Sequence, residues 1–394
     1  MILDENLPVP LDRRVWLEAR ALVGAGYEVT VVAPRGSGDM RAWRETREGV
    51  RLLRYPQRAA AGLAGYLMEY PPSIVFSLAW LLWARSRGPV HIIHGCNPPD
   101  LFFLLGLVGR SWGAHYVFDQ HDANPELSVT KWGNRRLGRL LRGLTGALEA
   151  ASYRTASLVI VPNGSYARIA RSRGRVPDER LAIVRNAPPA GHFAELAAHR
   201  RPDPGGPFRI GYLGVMGSQD GVEILVDAVA ALRRRLPQLD LRVDLVGDGE
   251  ARPRLERKVA EAGLQNEVIF HGYMQSDAFV PLLARTHVCV SPDPPTPFNQ
   301  VSTMTKVVEY LAMGRPVVTF DLVETRQLVG AAGRIVTEPT AAAMGDALAE
   351  LAGDGPALAE LTAAAASRFA ELDLNWEGSA ARMIAAYDAV LAVP

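Results

Sequence analysis

Residues 298–318 read FNQVSTMTKVVEYLAMGRPVV, and within them Met304, Val307, Val308, Leu311 and Ala312 recur at helical spacing. That period places Lys306 and Glu309 together on the face away from the apolar stripe, with Ser302 and Thr303 standing where an N-cap belongs. The free N–H groups of a helix N-terminus attract phosphate, and a lysine in the first turn adds a full positive charge. A carboxylate one turn further on accepts two hydrogen bonds from a diol such as that of ribose. The other reading of the same pattern is a capped surface helix with a solvated Lys/Glu pair.

Two more segments place polar or flexible residues at the ends of apolar runs. Gly211-Tyr212-Leu213-Gly214-Val215-Met216-Gly217 follows a strand-like run and precedes a helix that starts near Gly221. Glycines there let a backbone approach a phosphate closely, although such turns also serve structure alone. FDQHDANPEL, residues 118–127, sets Asp119, His121, Asp122 and Glu126 directly after another such run, with turn formation and helix capping as the alternative duty. No G-x-S-x-G, H-E-x-x-H or C-x-x-C pattern is present, so hydrolase and zinc chemistry find no support.

These residues need strand ends to carry them, and the chain supplies a doubly wound α/β pattern in which short β-branched runs alternate with helical periods. Tyr27 to Ala33, Val90 to His94, His115 to Asp119 and Leu158 to Val161 predict a first sheet; Arg209 to Leu213, Leu241 to Val246, Val268 to His271, Val288 to Ser291 and Val317 to Phe320 predict a second. At 394 residues two domains are expected. The Pro/Gly-rich stretch from PPAGH to RRPDPGGP breaks the period, which sets a first domain at 1–188, a linker at 189–206 and a second domain at 207–374. The amphipathic segment over about 375–394 is expected to pack back on the first domain. Ligands of such sheets bind at the carboxyl ends of their strands, so the two domains are expected to face a shared crevice.

Composition narrows the partners. With 48% hydrophobic and 22% charged residues and a net charge of +1, the chain lacks the basic excess that nucleic-acid binding requires. Cys96 and Cys289 lie far apart in apolar runs, which fits a reducing, cytoplasmic compartment. No signal-peptide pattern opens the sequence. The apolar run 74–84 is about half the roughly 20 residues a membrane span needs. Arg135, Arg136, Arg139 and Arg142 form a stripe on a helix whose other face carries Leu137, Leu140, Leu141, Leu144 and Leu148. Such a helix either lies on an anionic membrane, with Trp132 nearby, or packs its leucines inward and solvates its arginines.

The arrangement SxxxxKVVEYLAMGRPVV resembles the donor-binding segment of family-four retaining glycosyltransferases of the GT-B fold. LDRRVWLEARALVGAGYEVTVVAP, HGCNPPDLFFLL, FDQHDANPEL, VPNG, VRNAPP, IGYLGVMGSQDGVEILVDA, LVGDGE and FHGY follow in the family's order. The likeness is nearest to bacterial members acting in surface polysaccharide or other glycoconjugate assembly. It implies two facing Rossmann-like domains and transfer of a sugar from a nucleotide-diphosphate donor, with a UDP-sugar favoured, to a hydroxyl of a glycan or lipid-linked acceptor. It also implies anomeric retention without cofactor or metal. Glu309 matches the family's ribose glutamate and His121 its histidine at the donor sugar, while Met274 is placed against the nucleobase. Gly214, Met216, Asn299, Ser302, Thr303, Met304, Thr305 and Lys306 are the remaining donor-binding candidates of the second domain. Arg13, Arg14, Asp122 and Glu126 are acceptor-side candidates.

The pattern departs from the family at three places. The family's second glutamate, eight positions before the ribose one, is Val301 here, and its Arg and Lys after the first strand of the second domain are Val215 and Asp220. A dianionic diphosphate then requires cations from elsewhere, Lys306 first and Arg185 second. A family-like first strand would also begin several residues before Ile2. An epimerase or phosphorylase of similar architecture would need a different acid/base set. A catalytically silent partner that organises an assembly complex is the alternative in which these losses are decisive.

Overall fold

The computed structural model describes residues 1–57, 62–133, 136–217 and 219–392. It divides into two compact units, one of Met1–Asn186 with Ser379–Pro394 and one of Ala187–Gly378. The first is built on β1 (Ile2–Leu3), β2 (Thr30–Pro34), β3 (Arg44–Arg47), β4 (Val50–Tyr55), β5 (Ile92–Cys96), β6 (His115–Asp119), β7 (Leu158–Val161) and β8 (Leu181–Ile183). These lie in the order β3-β4-β2-β1-β5-β6-β7-β8, and every pairing is parallel except β3 with β4. The second unit carries β9 (Phe208–Leu213), β10 (Leu241–Val246), β11 (Val268–Gly272), β12 (Val288–Ser291), β13 (Val317–Phe320) and β14 (Gly333–Val336) in the all-parallel order β11-β10-β9-β12-β13-β14. Helices cover these sheets, so their central strands are buried throughout and read as continuous apolar runs.

The strand nearest the start of the chain is shorter than its β-branched run predicts. Tyr27 stays outside β2 because its N–H closes the preceding helix turn on Leu22 O and its ring packs edge-on to Tyr387 at 5.8 Å between centroids. The hairpin of β3 and β4 escapes the periodicity altogether. Its buried Arg54 hides the apolar alternation, and the guanidinium is held inside by Glu45 at 2.9 Å and by Val9 O at 3.1 Å.

The stretch expected to be a linker at 189–206 is part of the second unit's core. It holds a helix, Ala190–Ala197, whose Phe193 is fully buried and meets Phe279 edge-on at 5.8 Å. The prolines lie outside this helix and Gly191 stands in its first turn, so they mark its ends and not a flexible tether. The last helix, Trp376–Leu391, contributes Ser379 onward to the first unit, where Tyr387 is buried against His94.

Truncating a fully buried phenylalanine costs about 3–5 kcal/mol. Phe193→Ala is therefore expected to lower the unfolding free energy of the second unit, read by denaturant titration, by an amount in that range. A change below about 1 kcal/mol would return residues 189–206 to the status of a detachable linker.

Candidate functional site

In the second unit, β9 and β12 deliver their carboxyl ends to the Thr305–Ala312 helix. Lys306 and Glu309 are not a solvated surface pair: they are 9% and 7% exposed. Lys306 Nζ donates to Asp293 Oδ1 at 2.8 Å, just past the end of β12, and lies 5.0 Å from the Tyr212 ring centroid. Burial alone would lower the lysine, but Asp293, Tyr212 and Asp220 hold it well above the usual range, so it stays charged. Asp220 accepts from the Gly217 N–H at 2.9 Å, and burial pushes its carboxyl up. At Gly221 φ is +70° and an added Cβ would strike Pro292 O, so only glycine admits the turn that leads from this loop into the Val222–Arg235 helix.

The other residues around this helix divide. Met304 is its N-cap by backbone alone, and Thr305 is its exposed first residue. Ser302 and Thr303 stand too early to cap it, because residues 298–302 form a turn of their own in which Ser302 N–H and Oγ both donate to Phe298 O. Asn299 is buried and ties that loop together through Pro294 O at 2.9 Å. Gly214 lies against the Lys306 side chain, whereas Met216 sits in the apolar core with its N–H and C=O taken by Asp248 and Ala251. The Met216 side chain therefore cannot meet a ligand. Met274 is half-buried at the end of β11, beside the core.

In the first unit the end of β6 is the polar centre. Asp119, fully buried, receives Arg14 Nη2 at 2.7 Å and Nε at 3.2 Å, and His121 Nε2 lies 2.6 Å from its Oδ2. Burial would raise Asp119, yet Arg14 and His121 hold it well below the usual carboxylate range. Burial, with Asp119 beside it, pushes Glu18 well up, and burial lowers His94. The cluster thus centres on the Arg14–Asp119 ion pair. Glu18, His94, Cys96 and Asp119 bring ligand-type atoms within 4.8 Å of one another, but the guanidinium already occupies the carboxylates and burial keeps the thiol protonated. Asn97 clamps the following loop: its Oδ1 accepts from the N–H groups of His121 and Asp122, and its Nδ2 donates to Asp122 O at 2.8 Å.

Two models of known families match the chain, one described as Glycosyl transferase 4-like domain over residues 11–187 and one as Glycosyl transferases group 1 over residues 207–354. The chain is a family-four-type glycosyltransferase. Among its relatives, alpha-D-kanosaminyltransferase of Streptomyces kanamyceticus is 29% identical over 38% of this chain and 37% of its own length. The match thus spans little more than a third of that relative. The 2-deoxystreptamine glucosyltransferase of the same organism is 28% identical over 70% of this chain and 72% of its own. HepE of Anabaena, solved with UDP and glucose, superposes with a TM-score of 0.69 at 17% identity, covering 98% of each chain, which shows the GT-B fold.

Several residues of this glycosyltransferase sit elsewhere than the sequence places them. Arg14 is not presented to an acceptor: it is buried, and its Nη1 donates to Val184 O at 2.9 Å and Asn186 Oδ1 at 2.6 Å. Arg13 is exposed, and Arg185 is half-buried in the segment after β8. Asp122 is half-buried with its carboxyl pushed up by burial, and Glu126 pairs with Arg173, which also reaches Glu149 at 2.7 Å. In the Arg136–Thr155 helix Leu137, Leu140 and Leu144 are 46%, 69% and 55% exposed and do not pack inward, Leu141 and Leu148 are half-buried, and Gly138 and Glu149 are buried. Arg135 lies outside the described residues. Among the described residues no helix is long and apolar enough to cross a membrane; the run 74–84 belongs to the Gly62–Arg85 helix. Asn97 is the residue that sequence reasoning missed, and its only signal was its place in HGCNPPD at the end of a strand.

The Lys306–Asp293 pair yields a direct check. Lys306→Met leaves a 2% exposed carboxylate without its cation and is expected to cost about 3–5 kcal/mol in denaturant unfolding. Adding Asp293→Asn to that variant is expected to recover most of the loss. Equal and additive losses would deny the coupling.

Proposed function

We propose that this glycosyltransferase moves a sugar from a UDP-sugar to an acceptor hydroxyl with retention at the anomeric carbon. The observation that carries the reading is the Thr305–Ala312 helix, which sets Lys306 and Glu309 one turn apart behind the glycine-bearing loop after β9. Glu309 accepts from the ribose diol, and Met274 borders the base. Lys306, which gives one of its three N–H groups to Asp293, brings its charge and remaining donor capacity to the diphosphate. Backbone N–H groups of the loop from Gly214 supply the rest. The binding of UDP by HepE and the sugar-transfer names of the two Streptomyces relatives support a nucleotide-sugar donor.

The acceptor hydroxyl attacks the face from which the nucleotide leaves, and its proton passes to the departing diphosphate oxygen. Catalysis then rests on positioning and on stabilising the leaving charge, with Lys306 in that role and His121 holding the sugar. No bound metal takes part. The acceptor is a glycoconjugate or lipid-linked sugar, a reading supported by the exposed leucines and arginines of the Arg136–Thr155 helix, which suit an anionic bilayer. The name of the 2-deoxystreptamine glucosyltransferase favours a second reading, a small aminocyclitol acceptor in solution.

Calorimetry with UDP tests the donor site. Glu309→Gln keeps the shape but loses acceptor capacity, at about 1.5–3 kcal/mol for hydrogen bonds to a charged group, so the affinity falls by roughly 10-fold to 100-fold with the melting temperature unchanged. His121→Ala is expected to keep UDP affinity and lose turnover. Unaltered binding by Glu309→Gln would undo the assignment. Sedimentation with phosphatidylglycerol vesicles separates the acceptor readings: Leu140→Glu with Leu144→Glu abolishes binding on the membrane reading, and no binding by the parent chain favours the soluble acceptor.

A further inference from the structure

The reading above gives His121 a place at the sugar but not a chemical state. The geometry points to one: we infer that Asp119, bridged by Arg14, is a positioning residue that takes the Nε2–H of His121, so that in the uncharged ring Nδ1 is the atom offered to a substrate hydroxyl. This inference rests on the proposed role of His121 and deepens it.

An ionised carboxylate only accepts hydrogen bonds. Asp119 Oδ2 stands 2.6 Å from His121 Nε2, so that nitrogen must carry the hydrogen. The carboxylate has no freedom to turn away, because its two oxygens take Arg14 Nε and Nη2 at 3.2 and 2.7 Å. Arg14 in turn is fixed at its remaining nitrogen by Val184 O and Asn186 Oδ1. The backbone of the histidine is held independently, since Asn97 Oδ1 accepts from the N–H of both His121 and Asp122. Ring and backbone are thus anchored on opposite sides, and the side chain is only 13% exposed. Among the described residues Nδ1 makes no hydrogen bond, and it is not among the buried atoms left without a partner.

The groups around Asp119 fit this arrangement. Arg14 brings the cation; burial pushes Glu18, 3.0 Å from Arg14 Nε, and Cys96 up, and lowers His94, whose Nε2 is 3.4 Å from Oδ2. Asp119 is the carboxylate bonded to the imidazole of His121. An Nδ1 lone pair accepts from a sugar hydroxyl, and an Nδ1–H could not. The selected tautomer makes the site a reader of a hydroxyl donor, and a sugar lacking that hydroxyl leaves a partly buried acceptor unpaired.

Nitrogen-15 NMR of the imidazole side chains tests this in the intact chain without any substitution, with His121→Gln used to assign the signal. The result expected is the Nε2–H pattern for neutral His121; an Nδ1–H pattern or an even mixture overturns the inference. In Asp119→Asn the carboxamide no longer selects a tautomer. The expected outcome is a mixed pattern, kcat lower by about 100-fold and a donor KM within about threefold of the parent. An unchanged kcat in a folded Asp119→Asn protein would also overturn it. Should that variant not fold, the parent spectrum still decides. Failure of the underlying reading looks different: His121→Ala would then keep full turnover whatever tautomer the parent shows.

Discussion

A charge withdrawn from water at the end of a buried parallel strand must find its counter-charge on the spot, because the desolvation cost of a lone ion far exceeds the few kcal/mol by which a domain is stable. Both units obey this at the strand ends that carry their polar residues. Asp119 closes β6 and is met by Arg14; Asp293, two residues past β12, is met by Lys306. Each pair joins a helix to a strand end, so the constraint that neutralises the charge also fixes where the helix begins. His121 and Glu309 inherit their positions from these pairs, one two residues past its anchor and one through a single helical turn.

The neutralisation leaves a usable remainder in each case. Around Asp119 burial pushes Glu18 up and His94 down, and Arg14 is paired directly with Asp119. Around Lys306 the balance is less complete. Asp220 and Asp293 surround one lysine, and the Asp220 carboxyl already occupies the Gly217 N–H. The two units therefore offer different electrostatic settings: a closed pair that aligns a ring, and a cation in acidic company.

Much of the fold was legible because buried parallel strands are continuous apolar runs and need no partner to be recognised. β6, β7, β10, β12 and β13 fall where their β-branched residues place them. The failures share a cause. Periodicity reports which face of a helix is apolar but not what covers the other face, so it left open whether Lys306 and Glu309 are solvated, and in the structure Tyr212, Gly214 and Asp293 lie over the lysine. It also left open which face of the Arg136–Thr155 helix is covered; there Gly138 and Ser152 are among the buried residues, while Leu137, Leu140 and Leu144 are exposed. Arg14 and Asn97 act through partners more than 20 residues away in sequence, a relation that no local pattern encodes.

The departures at Val215 and Asp220 gain a physical meaning from this comparison. A diphosphate approaching Lys306 meets one cation and two carboxylates, so long-range attraction contributes little to its capture. On the proposed donor reading, affinity comes from short-range, directed bonds: Lys306, the backbone donors of the loop, and the Glu309 carboxylate on ribose. Contacts of that kind depend on fit rather than on net charge and are screened little by salt when buried. On that same reading the aspartate at position 220 trades electrostatic recruitment for selectivity, since a ligand without the nucleoside gains too few bonds to displace water from acidic surroundings.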